Sequence, residues 1–312
     1  MTSPAGHDGT GATIARTLAQ AKVNLFLHVL AREDNGYHQI ETLFCRLDLA
    51  DDVIVRAGGR GRSLDVTGEA VPPDGLGHVE HNLAWRAAQA FSARAGWPND
   101  WAIELRKRIP VGGGLGGGSA DAGAVLRCLN ALAPTPLGPT VLLGIAASLG
   151  ADVPYLSTDA PLSLAWGRGD RLLALPGLPA RDVALACFPF GVPTPDAYRW
   201  LDDVRSERAA AGASLALLQL ASWREIAALA HNDFERVVAP RFPAIAATLE
   251  TWRSLDPATS DVAPIALLSG SGSTVVRIAD DLAGDVGRGL DPTVRVIRTR
   301  TASRVVGVEV SD

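Results

Sequence analysis

Lysine is scarce in this sequence. Of 29 basic residues only Lys22 and Lys107 are lysine, and the rest are arginine. A GC-rich genome accounts for the arginine excess but not for where the two lysines fall. Positive charge in excess is also missing: the net charge is −5 and the isoelectric point is near 5.7. That removes the electrostatic footprint of a general nucleic-acid binder, so any phosphate held here must be met locally. No apolar run reaches the ~18 residues that a membrane span needs. Residues 1–15, MTSPAGHDGTGATIA, lack the basic start and apolar block of a secretory signal and read as a disordered tail. Three cysteines, Cys45, Cys128 and Cys187, lie far apart in apolar surroundings. They argue against a disulfide framework or a zinc site and for a reducing cytoplasm. Repeats and low-complexity tracts are absent.

The 312 residues are 47% apolar and 20% charged, a composition for a globular chain of two domains of roughly 150 residues each. AKVNLFLHVL (21–30) alternates as a strand does, and GYHQIETLFCRLDLADDVIV (36–55) continues with more strand. A helix follows over 81–96, with Asn82 as its cap and Leu83, Ala87 and Phe91 on one face. WAIELRKRIPV (101–111) reads as strand, and 120–132 reads as helix because Val125, Leu126, Leu129 and Leu132 recur at helical spacing. The next helix, 140–150, stops at Gly150. A helical polar stretch spans about 203–236; then come a helix (243–254), a hairpin (265–278), a helix (280–289) and a strand (294–299). A β-α-β-β-α-β unit fits that last half, and the domain boundary is placed near residue 165.

Between strand and helix lies VGGGLGGGSA (111–120), with six glycines in ten positions. Glycine lets backbone N–H groups approach a charged ligand without a Cβ in the way, and the run ends at a helix N-terminus with its partial positive charge. Gly112, Gly114 and Gly117 satisfy the dinucleotide pattern G-x-G-x-x-G, but the following 20 residues are a helix and a turn rather than a strand ending in an acid. A P-loop needs lysine before its Ser/Thr, and here Ser119 directly follows Gly118. A purely structural turn would lose folding entropy at six glycines without packing return. The run therefore reads as a phosphate cradle whose cation comes from elsewhere in the chain.

PVGGGLGGGSADA resembles the central motif of the GHMP small-molecule kinases, P-x-x-x-G-L-G-S-S-A-A. AKVNLFLHVL and LLSGSGSTVV (267–276) resemble the first and third motifs, in the right order and spacing. AKVNLFL, DNGYHQIETLF, GGGLGGGSADA and LGADVPYL together are most similar to those members that phosphorylate the 2-hydroxyl of 4-diphosphocytidyl-2-C-methyl-D-erythritol. The resemblance covers roughly residues 18–310. It implies an α+β fold of two domains, here 16–165 and 166–312. The first is β-rich, with a left-handed-type βαβ unit that binds ATP; the second is ferredoxin-like. It also implies a cytoplasmic kinase of the non-mevalonate isoprenoid route that uses ATP as Mg-ATP. Its partner is that small-molecule substrate, with no nucleic acid and no membrane.

Read from the residues alone, Asp152 is a turn aspartate before Pro154, or a carboxylate placed to take a hydroxyl proton. Lys22 interrupts an apolar strand, where a charge is rarely left unpaired. The resemblance makes Asp152 the base and Lys22 its partner. It assigns ATP to Asn82, Leu83, Lys107, Pro110, Gly112, Gly113, Gly114, Leu115, Gly116, Gly117, Gly118 and Ser119. Substrate falls to Asn24, Tyr37, His38, Thr194, Tyr198, Gly270, Ser271 and Gly272, with His38 on the cytosine edge and Tyr198 stacked on the base. Two features depart from the family pattern. Gly117 and Gly118 replace serines, one of which binds Mg²⁺ in relatives, so either Ser119 substitutes or ATP oxygens and water hold the metal; no protein ligand to a metal is assigned. Asp121 stands where the nearest relatives often carry Asn, adding negative charge near a phosphate site.

Overall fold

The computed structural model describes residues 13–204, 215–255, 261–282 and 286–311. Its first sheet is founded on two 20-residue strands, β1 (Thr13–Arg32) and β2 (His38–Ala57), paired antiparallel. β3 (Arg62–Thr67) and β4 (Trp101–Arg106) are parallel neighbours, joined by the crossover helix α1 (Leu83–Ala95). The α1 ends are chemically marked: Asn82 Oδ1 accepts from Ala84 N at 2.9 Å, and Gly96 closes the helix at φ 67°. α2 (Gly117–Leu132), α3 (Pro139–Leu149) and α4 (Val153–Leu156) follow. α2 packs on α1, β1 and β2, and its Val125, Leu126 and Leu129 are fully buried. β5 (Leu162–Gly167) then pairs with β2, and β6 (Arg171–Leu175) with β5.

The second sheet starts with β7 (Asp182–Cys187). Helices α5 (Thr194–Val204) and α6 (Trp223–Leu229), the two-residue strand β8 (His231–Asn232), and helices α7 (Glu235–Val238) and α8 (Pro243–Ser254) come next. The hairpin β9 (Ile265–Leu268) and β10 (Val275–Ala279) precedes β11 (Arg295–Arg300). Strand order is β11-β7-β10-β9, antiparallel throughout, which is the ferredoxin-like order expected from the β-α-β-β-α-β reading. The last strand, β12 (Glu309–Ser311), returns to β1.

Several expectations need correction. Thr13–Ala15, assigned to the tail, are the start of β1, and the rest of the tail lies outside the described residues. The boundary at 165 falls inside β5; the first sheet keeps the β5–β6 hairpin and recovers β8 and β12 from the second half of the chain. The stretch 203–236 is not one helix: its Ala- and Glu-rich composition favours helix, but β8 is recruited by pairing to β1. Residues 205–214 of that stretch lie outside the described residues. So do 283–285 of the helix expected at 280–289, and the flanking residues there form bend and turn. α2 begins three residues early, inside the glycine run, and β4 ends at Arg106 rather than at 111. Gly150 is extended, not left-handed. Trp101 is fully buried, and Trp223, 8% exposed, donates its ring N–H to Pro179 O at 2.7 Å, so both belong to the core.

Candidate active site

Lys22 and Asn24 stand two residues apart on one face of β1. Pairing with β2 slips between Gln20 and Lys22 and again between Asn24 and Phe26, the local bulging that re-aims side chains beside a site. The glycine run is laced to both neighbouring motifs. Lys22 N donates to Leu115 O at 2.9 Å, Thr274 N to Gly113 O at 3.1 Å, and Ser269 Oγ to Gly114 O at 3.1 Å. A Cβ on Gly114 would stand 2.2 Å from Ser269 O, and one on Gly116 would stand 2.9 Å from Lys22 Cγ. Both residues also have positive φ, 80° and 72°, so no other residue fits this lacing. Gly116 is the N-cap of α2, leaving the first-turn N–H groups without helical partners beside the cavity.

That cavity, of about 360 Å³, is lined by every residue assigned above to ATP, with Leu76, Ile109 and Val111 adding apolar wall. A second cavity, of about 250 Å³, adjoins it and is lined by Lys22, Asn24, Thr194, Tyr198, Gly270 and Ser271, among others. Gly114, Ser119 and Asp152 line both. Asp152 occupies the N-cap position of α4 but makes no capping bond, so its carboxylate is free to face the cavities. Its Oδ2 lies 3.2 Å from Lys22 Nζ. Lys22, 4% exposed, also donates to Asn24 Oδ1 at 2.9 Å. Asn24 Nδ2 donates in turn to Thr42 Oγ1 at 2.8 Å, and Thr42 donates to Phe26 O at 2.6 Å. The chain fixes the Asn24 amide so that its oxygen faces the ammonium. Across the cavity Thr194 Oγ1 and Ser271 Oγ are hydrogen-bonded at 2.9 Å.

Lys107 lines the first cavity. Its ammonium is buried between the carboxylates of Asp51 and Asp121, and Asp51 Oδ1 also accepts from Ile109 N at 2.9 Å. Burial pulls the Lys107 pKa down, but the two carboxylates outweigh it and the net shift is upward. Burial pushes Asp121 up to about 7, with Lys107 opposing and Asp51 reinforcing. Asp121 Oδ1 has no hydrogen-bond partner. Lys107 therefore borders the first cavity with its charge committed to the base of the loop.

Tyr37 and His38 do not line the second cavity. Tyr37 is 60% exposed, with the Arg168 guanidinium 4.4 Å from its ring centre. The His38 side chain is buried, stacks on Tyr198 at 4.3 Å and 17°, and contacts Asp202 Oδ1 through Nε2 at 2.8 Å. Tyr198 itself does line the cavity, and burial raises its hydroxyl pKa to about 12, Asp152 adding to the effect. Gly272 supports the third motif from behind, donating to Ser269 O at 2.9 Å. The sequence reading missed Thr42, Asp51, Asp202 and Arg168. Arg168 brings a second cation to the second cavity from the β5–β6 turn, where it pairs with Glu33.

A two-domain α+β chain with a glycine cradle at a helix N-terminus and a Lys–Asp pair where two cavities meet defines a small-molecule kinase of the GHMP class. The family described as GHMP kinases N terminal domain matches residues 82–160. The chain is 36% identical over 271 residues to the 4-diphosphocytidyl-2-C-methyl-D-erythritol kinase of Pelotomaculum thermopropionicum, covering 86% of this chain and 90% of that protein. It is 39% identical over 268 residues to the kinase of that name from Anaeromyxobacter dehalogenans, covering 84% and 80%. A crystal structure of 4-(cytidine 5'-diphospho)-2C-methyl-D-erythritol kinase superposes with a TM-score of 0.71 at 32% identity, covering 92% of this chain and 99% of that one. Homoserine kinase from Cytophaga hutchinsonii, at 14% identity and a TM-score of 0.64, shares the fold, over 99% of this chain and 100% of its own. The chain belongs to the 4-diphosphocytidyl-2-C-methyl-D-erythritol kinase family.

Proposed function

We propose that this chain transfers the γ-phosphoryl group of ATP to the 2-hydroxyl of 4-diphosphocytidyl-2-C-methyl-D-erythritol, yielding ADP and the phosphate monoester. The observation that carries the reading is the meeting of the two cavities at Gly114, Ser119 and Asp152, with Lys22 3.2 Å from the carboxylate. ATP phosphates lie along the glycine run, where unpaired N–H groups and the α2 dipole attract negative charge. Asp152 takes the hydroxyl proton as the oxygen attacks in line, and Lys22, 3.2 Å away, orients the carboxylate. Asn24, Thr194, Gly270 and Ser271 hold the acceptor, and the cytidine end lies toward Tyr198. His38 acts from behind Tyr198, oriented by Asp202.

The donors at the junction, the Ser119 hydroxyl and the Asp152 carboxylate, are oxygens, which fits a hard cation such as Mg²⁺. Ser119 would hold it together with phosphate oxygens and water, and the ion when bound neutralises phosphate charge. A cytoplasmic setting suits Cys45, Cys128 and Cys187, which are all buried free thiols.

ATP consumption assayed with 4-diphosphocytidyl-2-C-methyl-D-erythritol, homoserine and mevalonate tests the reading. Turnover with the cytidine substrate alone is expected. Preference for either of the other alcohols would overturn it.

A further inference from the structure

On the first sheet, outside both cavities, a different chemistry is assembled. β8 runs parallel to β1 with His231 opposite Phe26 and Asn232 opposite Leu27, and Asp233 N continues the ladder to Leu27 O at 3.0 Å. Side chains alternate along strands, so His28, His231 and Asp233 share one face, while Leu27 and Asn232 turn to the other. Glu41 of β2 is the antiparallel partner of His28 and stands on the same face. The His28 and His231 rings stack with centroids 4.9 Å apart. His231 Nε2 lies 3.0 Å from Asp233 Oδ1, while Asp233 Oδ2 is held by Val29 N at 2.7 Å. Each of the three offers a ligand atom within 4.8 Å of the others, the one such group among the described residues.

We propose that His28, His231 and Asp233 bind a divalent transition-metal ion of the zinc class. Two imidazole nitrogens and a carboxylate oxygen suit Zn²⁺ or Co²⁺ far better than Mg²⁺ or Ca²⁺, which take oxygen donors. The sequence argues against a cysteine zinc site; this one needs no thiol. Asp233 is already oriented by the backbone, as the ligands of a built metal site are. His28 completes the set by a rotation that shortens its distance to the other two, and Glu41 or water fills the remaining position. A cavity bordered by His231, Asp233 and Glu235 gives an entry path.

The ion pins β8 to β1. From the opposite face of β8, Asn232 Nδ2 donates to Leu268 O at 2.7 Å and Gly270 O at 2.8 Å, at the third motif. Occupancy therefore stiffens the acceptor side of the active site, at a distance from the ATP side.

Titrating the nucleotide-free full chain with ZnCl₂ by calorimetry, and with CoCl₂ by visible absorption, tests the site. Expected are one tight ion per chain, a rise in unfolding temperature with Zn²⁺, and no competition from Mg²⁺. His231→Gln should weaken affinity at least about tenfold, and the double variant His28→Gln/His231→Gln further. His231→Cys, which restores a zinc donor, should recover binding and guards against misreading a folding defect. Absence of Zn²⁺ binding in the wild type, or binding unchanged in the double variant, overturns the proposal and leaves a His–Asp hydrogen bond alone.

Discussion

The chain's two lysines are both almost fully buried, at 4% and 2% exposure, yet they sit in opposite electrostatic settings. Lys22 meets one carboxylate, Asp152, which is 29% exposed and looks onto both cavities. Lys107 meets two, Asp51 and Asp121, both buried, at 0% and 4% side-chain exposure. The first arrangement leaves the carboxylate exposed to both cavities, as the proposed proton acceptor has to be. The second is closed and over-acidic, and it ties β2, the end of β4 and the first turn of α2 into one base beneath the phosphate loop. Burial alone does not separate the two lysines; the exposure of their partner carboxylates does.

Breaking the closed arrangement should have the largest effect on stability. Lys107→Met leaves two carboxylates buried without a cation and should cost about 3–5 kcal/mol of unfolding free energy, read by denaturant titration. Lys22→Met, by contrast, should lose transfer activity at a much smaller stability cost, because Asp152 can take up solvent. Equal stability losses in the two would erase the distinction.

Asp121→Asn sharpens the comparison through pH. A carboxyl whose folded pKa is raised to about 7 favours the protonated form in the folded state. Its contribution to stability is present below the unfolded value near 4 and is lost as pH rises to about 7. The Asn variant lacks that loss, so its stability relative to wild type should improve by about 3 kcal/mol between pH 4.5 and pH 8. A flat difference across that range would show that Asp121 titrates as an ordinary carboxyl.

The smallest effect is expected at the substrate end. Asp202→Asn replaces the acceptor facing His38 Nε2 and should raise the KM for the cytidine substrate about tenfold, the worth of one charge-assisted hydrogen bond, while the KM for ATP stays put. Parallel shifts in both constants would make Asp202 a general scaffold residue instead.

Much of this site is readable from sequence because its chemistry demands particular residue types. The glycines at 114 and 116 admit no Cβ, and a lysine inside an apolar strand needs a partner, which turned out to be Asp152. The ferredoxin-like sheet was likewise legible from the order of its elements. Asp51 was not, since an aspartate within a strand carries no local mark of the lysine 56 residues away that it meets. The same holds for Asp202 with His38, 164 residues apart. Composition misled between 203 and 236, where helix-favouring residues yielded to the pairing of β8 with β1. His38 was assigned to the cytosine edge by motif; its stacking on Tyr198, 160 residues further along the chain, carries no local mark in the sequence.

The account rests most directly on Asp152 as the proton acceptor. Single-turnover transfer to 4-diphosphocytidyl-2-C-methyl-D-erythritol by Asp152→Asn, at saturating ATP, should be slower than wild type by about 10²–10⁴ with nucleotide affinity retained. A rate within a few-fold of wild type would contradict it.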